Sequence, residues 1–165
     1  VGPDGAEHRR EIVQHPGAVA VVPLHDDGSV TLVRQYRAAL DTEMWEIPAG
    51  IRDVDGEPEA TTAARELAEE VGLEADRIEE LVRFHTSPGF CDEAVTVFLA
   101  TGLRPVPPAH EGVEEQHMVI ETMPLYQAVA AVEDGRITDA KTVIGLLWVQ
   151  RRRGSPQGGD GYPAR

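Results

Sequence analysis

Apolar positions along this chain fall in short blocks, most of them with a period of two. Residues 30–37 (VTLVRQYR) alternate and are rich in β-branched side chains, the pattern of a strand. Residues 11–25 read as a strand, a break at Pro16-Gly17, and a second, valine-rich strand that is apolar on both faces. Asp26-Asp27-Gly28-Ser29 is a turn signal, so residues 17–25 and 30–37 are expected to form a hairpin. Residues 1–10 (VGPDGAEHRR) suggest a strand end, a Pro-Asp-Gly turn and the start of the next strand. Residues 44–47 form a short strand stopped by Pro48. Further strands are expected at 78–86, 94–100 and 117–121, with loops at 87–93 and 105–115. The period changes to that of a helix over residues 58–72 (PEATTAARELAEEVG), where Pro58 suits a first turn and Gly72 a left-handed exit. Helices are also expected at 124–132 and 140–152, around a turn at Gly135. Mixed strands with few helices suggest an α+β fold or an αβα sandwich.

Length and composition narrow the class. At 165 residues, 41% apolar and 27% charged, the chain suits one globular domain. No apolar run approaches the ~18–20 residues that cross a bilayer, and no secretory leader is read at the start, so a cytoplasmic location is expected. Cys91 is the one cysteine, which rules out an internal disulfide and a multi-cysteine zinc site. The net charge of −14 disfavours nucleic acid and anionic membranes as partners. An anionic small molecule stays possible if metal ions or local cations reverse the sign at its site. Of the 15 basic residues all but Lys141 are arginines. A phosphate contact here is therefore expected from a planar, permanently charged fork.

The helix at 58–72 carries the candidate chemistry. On a helical wheel Ala60, Ala64, Leu67, Ala68 and Val71 share one side, with Ala63 at its margin. Glu66, Glu69 and Glu70 cluster on another, at i, i+3 and i+4. Like charges at these spacings repel by a few tenths of a kcal/mol, roughly, per pair. A hard divalent cation removes that repulsion, and Mg²⁺ or Mn²⁺ favours carboxylate oxygen. The alternative is a solvated acidic face that keeps the helix soluble.

The surrounding string is Gly50, six residues, Glu57, seven residues, then Arg65-Glu66-Leu67-Ala68-Glu69-Glu70-Val71-Gly72-Leu73. It resembles the signature of the Nudix hydrolases, which cleave nucleoside diphosphates linked to another group. The family pattern has five residues in the first gap, so Glu57 is displaced by one, in the loop before the helix. The resemblance implies Glu66, Glu69 and Glu70 as metal ligands, completed by the carbonyl of Ala49. It implies a structural ion pair between Arg65 and Glu57, and backbone roles for Gly50 and Gly72.

Pro88 lies sixteen residues beyond Gly72, an offset similar to that in the ADP-ribose pyrophosphatase branch. Arg9-Arg10-Glu11-Ile12-Val13, His15-Pro16-Gly17-Ala18-Val19, Gln35-Tyr36-Arg37, Trp45-Glu46-Ile47-Pro48-Ala49-Gly50, Ser87-Pro88-Gly89-Phe90 and Gly135-Arg136-Ile137 also resemble that branch. The resemblance implies that Arg10 holds adenine, that Arg37 meets the diphosphate, and that Ile51 and Glu93 line the terminal ribose pocket. Trp45, Glu46 and Phe90 join them as substrate-binding candidates. From the residues alone, Arg10 is equally an exposed strand residue, Arg37 half of a surface pair with Arg34, and Trp45 a core anchor. The branch takes its general base from a loop glutamate after the helix. The matching segment is Glu111-Gly112-Val113-Glu114-Glu115-Gln116, with Glu114, then Glu115, as the catalytic candidates.

What the resemblance implies as a whole is an α+β fold of the Nudix type, an αβα sandwich with a mixed β-sheet, and Mg²⁺- or Mn²⁺-dependent hydrolysis of ADP-ribose to AMP and ribose 5-phosphate. The alternatives are another nucleoside diphosphate sugar such as GDP-mannose, an oxidised nucleoside triphosphate, or a non-catalytic nucleotide sensor. A homodimer is implied too, exchanged through an N-terminal segment for which residues 1–16 are the candidate. Residues 17–153 are then the catalytic domain and 154–165 a disordered tail.

Overall fold

The computed structural model describes residues 3, 5–107 and 118–154. In chain order the elements are β1 (Ala18–Pro23), β2 (Ser29–Arg37), β3 (Thr42–Glu46), β4 (Ala49–Ile51), α1 (Glu59–Val71), β5 (Leu73–His85), β6 (Ala94–Pro105), β7 (Val119–Pro124), α2 (Leu125–Glu133) and α3 (Ala140–Gly154). The strands form two sheets, one ordered β4-β1-β6-β5 and the other β3-β2-β7. The first sheet is mixed, because β1 runs parallel to β6 and antiparallel to β4.

Alternation along β1 explains the layering. Val19 and Val21 face Ala63, Leu67 and Val71 of α1 in one buried cluster, which Val33, Phe98 and Ala100 complete. Ala20 and Val22 face the other way, into a cluster with Val95, Val97, Leu125, Val129, Leu146 and Val149. One sheet thus has α1 on one face and the α2–α3 pair on the other, the α+β sandwich with a mixed sheet that the sequence predicts. Among the described residues no helix is long and apolar enough to cross a membrane.

Three expectations are corrected. Residues 17–25 and 30–37 do not form one hairpin. The turn closes, with His25 N donating to Ser29 O at 2.9 Å and a single bridge at Leu24 and Val30. Beyond it the strands part into different sheets. Val19 to Val22 have no exposed surface, and a strand buried on both faces belongs in the middle of a covered sheet. The buried side of α1 is Thr62, Ala63, Glu66, Leu67, Glu70 and Val71, whereas Ala60 and Ala64 are exposed. The helix is rolled so that two carboxylates face inward. Residues 6–17 contain no strand, only a bridge from Val13 to Cys91.

Boundaries differ in places for local reasons. β5 starts at Leu73, directly after the helix, because Gly72 (φ 62°) turns the chain in the left-handed region and its N–H caps Ala68 O at 3.1 Å. β4 is a strand that the sequence reading did not separate. Pro48 marks the point where the chain leaves one sheet for the other, and its carbonyl accepts from Val21 N at 2.8 Å. Most of the 105–115 loop, the first residue of the expected 117–121 strand, and residues 155–165 of the expected tail lie outside the described residues. Gly154 is the last residue of α3.

α3 approaches the sheet at Gly145. A Cβ there would lie 2.9 Å from Val22 Cγ2, 3.2 Å from Ile47 Cδ1 and 3.3 Å from Val97 Cγ1. Gly145→Val is expected to overpack this contact and lower stability by about 1–3 kcal/mol. For a chain of this size that lowers the melting temperature by roughly 2–4 °C per kcal/mol. Thermal melts of the two proteins check it.

Candidate active site

The site is built where α1 crosses β4. Ala49 N donates to Glu70 Oε2 at 3.0 Å. Gly50 lies so close to the helix that a Cβ on it would stand 2.1 Å from the carboxyl carbon of Glu66. Val21, paired to Pro48, bonds through its N–H, so Ala49 takes the intervening position whose N–H and C=O both face away from β1. The Ala49 carbonyl thus lies on the side of Glu70.

Glu66 and Glu70 are buried, and burial of a carboxylate needs compensating charge. Arg65 Nη1 lies 2.8 Å from Glu66 Oε1 and 3.0 Å from Glu69 Oε2. Its Nη2 reaches Asp53 at 3.5 Å and Glu57 at 3.7 Å. Glu57 in turn accepts from Thr62 Oγ1 at 2.7 Å. Burial works against the Arg65 charge, but Glu66, Glu69 and Glu57 prevail and raise its pKa above the ordinary value. Among the described residues no three acidic, histidine or cysteine side chains converge on one point. Glu66 and Glu69 meet through the guanidinium, and Glu70 turns to β4. The donor set nonetheless suits a hard divalent cation. It offers carboxylate oxygens and a backbone carbonyl, with the missing Cβ of Gly50 leaving the gap that the Glu66 carboxylate occupies.

Beside this cradle is a cavity of about 420 Å³. Of the candidate residues Arg37, Ala49, Ile51, Glu70 and Glu93 line it. Glu46, 1% exposed, lies behind the wall. Arg37 forks onto it, Nε to Oε1 and Nη2 to Oε2, both at 2.6 Å. Lys141 Nζ donates to Glu46 Oε2 as well and lies 3.1 Å from Asp139 Oδ2. Asp139 caps α3 by accepting from Thr142 N at 3.0 Å, while Thr142 Oγ1 accepts from Ile47 N at 2.8 Å. Burial pushes the Glu46 pKa up, yet Arg37 and Lys141 outweigh it and the net shift is downward. The Glu46 hydrogen bond, opposed by burial, raises that of Arg37, with Asp139 and Glu70 contributing.

Glu93 accepts from Thr86 Oγ1 at 2.6 Å, and His15 Nδ1 is 3.6 Å from its other oxygen. Arg10 and Phe90 meet elsewhere, with Pro88 and Cys91, around a second cavity of about 390 Å³. The N-terminal segment reaches that cavity through Val13 N donating to Phe90 O at 2.8 Å. Trp45 lines neither cavity. It packs on the core with the Arg34 guanidinium 5.3 Å from its ring centre. Glu114 and Glu115 lie outside the described residues. The sequence reading missed Lys141, Asp139, His15, Gln35 and Thr86. His15 and Gln35 stood in strings that resemble the branch without being nominated, and Lys141 stood out as the one lysine of the chain.

Two consequences are measurable. Gly50→Ala displaces the Glu66 carboxylate, a movable side-chain end, so the fold is expected to survive. The affinity for Mn²⁺ is expected to fall at least ~10-fold, as for other substitutions that misplace a ligand, read by titration of free Mn²⁺ while the melting temperature is monitored. Glu46→Gln strands Lys141 and half-exposed Arg37, a loss of about 2–3 kcal/mol after allowance for solvent and Asp139. Because the folded pKa of Glu46 is depressed, its contribution is present above the unfolded carboxylate pKa and lost as pH falls through the folded one. Denaturant midpoints across acid pH should therefore fall less steeply for Glu46→Gln than for the parent.

A NUDIX domain model matches residues 14–146. The ADP-ribose pyrophosphatase of Mycobacterium tuberculosis is 47% identical over 149 residues, covering 89% of this chain and 71% of its own length. That of Bacillus subtilis is 41% identical over 148 residues, covering 90% and 80%. A solved structure of an ADP compounds hydrolase superposes with a TM-score of 0.73 at 27% identity, covering 84% of this chain and 74% of its own. With the helix, the glycine gap and the strand in this arrangement, the chain belongs to the Nudix family of hydrolases.

Proposed function

We propose that this protein hydrolyses ADP-ribose to AMP and ribose 5-phosphate with a divalent cation, Mg²⁺ or in its place Mn²⁺. The observation that carries this reading is the Ala49–Gly50 cradle of Glu66 and Glu70, opening on a cavity with Arg37 and Glu93 in its walls. Relatives named for ADP-ribose hydrolysis at 41% and 47% identity support it.

Glu66, Glu69, Glu70 and the Ala49 carbonyl would hold the cation. Bound there, it supplies charge neutralisation for the diphosphate and a water acidified toward neutrality. Arg37, anchored on Glu46, shares the diphosphate charge and fixes its orientation for in-line attack by a water on one phosphorus, the bridging oxygen leaving with the other phosphate. Ile51 and Glu93 take the terminal ribose, Glu93 accepting from its hydroxyls. Arg10 and Phe90 take the adenine in the second cavity. Glu114, with Glu115 beside it, accepts the proton of the attacking water. In this reading residues 1–16 serve a homodimer, residues 17–153 are the catalytic unit and the protein works in the cytoplasm on a small nucleotide sugar, not on nucleic acid.

Turnover of ADP-ribose, ADP-glucose and GDP-mannose, each with Mg²⁺, Mn²⁺ or chelator, tests the substrate. ADP-ribose is expected to be fastest and chelator to abolish the reaction. Glu66→Gln and Glu114→Gln are each expected to reduce kcat by ~10²-fold or more, the scale of a lost general base. A Glu114→Gln enzyme that keeps most of its turnover refutes the base assignment.

A further inference from the structure

Lys141 has no part in the reading above, yet it lines the same cavity. It sits in the first turn of α3, with its side chain 14% exposed. An ammonium has three donors. One is spent on Glu46 and one reaches Asp139. Arg37 has spent two of its five donors on the same carboxylate. Among the described residues these are the two Arg or Lys side chains that line the cavity.

Asp139, two residues away, would by itself balance the charge of Lys141. Sharing Glu46 instead sets its charge beside the guanidinium, at the cost of like-charge repulsion. An anion held between the two cations relieves it. The quartet of Arg37, Lys141, Glu46 and Asp139 sums to zero. Without the lysine it would be −1, with Glu70 and Glu93 on the same cavity, in a chain of net charge −14. An anionic substrate then meets repulsion where it must bind.

We propose that Lys141 is a substrate-binding residue. With Arg37 it holds the phosphoryl group on the ribose side of the diphosphate, and Glu46 is the shared buried carboxylate that sets the spacing of the two cations. This rests on the reading that the cavity takes the ribose 5-phosphate half. The specificity that follows is for a phosphorylated sugar over the neutral one.

Because Lys141 is the one lysine, protein labelled with lysine carrying ¹³C at Cε alone shows a single labelled side-chain signal that reports this site in the unmutated chain. Ribose 5-phosphate is expected to shift it saturably and ribose to leave it in place. No shift at ribose 5-phosphate concentrations that inhibit ADP-ribose turnover overturns the proposal. Lys141→Met is expected to raise KM for ADP-ribose and Ki for ribose 5-phosphate at least ~10-fold, the loss expected for a charged hydrogen bond. Lys141→Arg keeps the charge and is expected to retain most of the affinity. Unchanged KM and Ki in a folded Lys141→Met protein also overturn the proposal. If that variant does not fold, the labelled signal decides. A shift by ribose 5-phosphate without any ADP-ribose turnover upholds the lysine site and refutes the substrate instead.

Discussion

The passage of the chain from one sheet to the other, over residues 46–50, is the constraint on which the site depends. Glu46 ends β3 with its charge buried and must be met by Arg37 from β2 and Lys141 from α3. Ile47 follows in the core and gives its N–H to Thr142. Pro48 accepts from β1 where the chain leaves the β3-β2-β7 sheet for the one that holds β4 and β1. Ala49 then donates to Glu70, and Gly50 leaves the space that Glu66 fills. Five consecutive residues thus join both sheets to α1 and α3, and they place the carboxylate cradle next to the cationic wall. Neither half could be moved without breaking a buried polar contact of the other.

Electrostatics give that geometry its meaning. The chain carries a net charge of −14, and a diphosphate approaching it meets a repulsive field. The fold answers locally. Arg65 supplies the countercharge for Glu66 and Glu69, while Arg37 and Lys141, in the cavity wall, are held on a carboxylate that is removed from solvent. A charge buried this way is costly unless paired. The pairing fixes rotamers that would otherwise wander, and a site for an anion gains from donors already in place.

Much of the fold was legible in local pattern. α1 was readable from Pro58 to Gly72 because a helix start, an alanine-rich interior and a left-handed stop are all local signals. β2 and the α2–α3 pair were readable for the same reason. The partnering of β1 was not. Its turn with β2 is a local event, but β6, which lies alongside it in parallel, comes some seventy residues later, and no periodicity encodes that pairing. The roll of α1 was equally hidden. A wheel showed an alanine side and a glutamate side, and tertiary packing buried Glu66 and Glu70 while exposing Ala60 and Ala64. Burial of carboxylates runs against their hydropathy and depends on Arg65 and on the close approach of Gly50.

For the site, the order of residues already named the side chains suited to hold a cation. The spacing of Glu66, Glu69 and Glu70 along one helix is a covalent property of the chain, as is the Gly50 to Gly72 string around them. Arg37, Ile51 and Glu93 were nominated by likeness, and the tertiary structure brought them to one cavity. The same structure set Arg10 and Phe90 apart in a second one, and Trp45 at neither. It also brought in Lys141 and Asp139, ninety-five and ninety-three positions beyond the Glu46 that the lysine meets. Sequence carries the identity of a charge, but whether that charge is solvated or held against another across the fold is decided only by what packs around it.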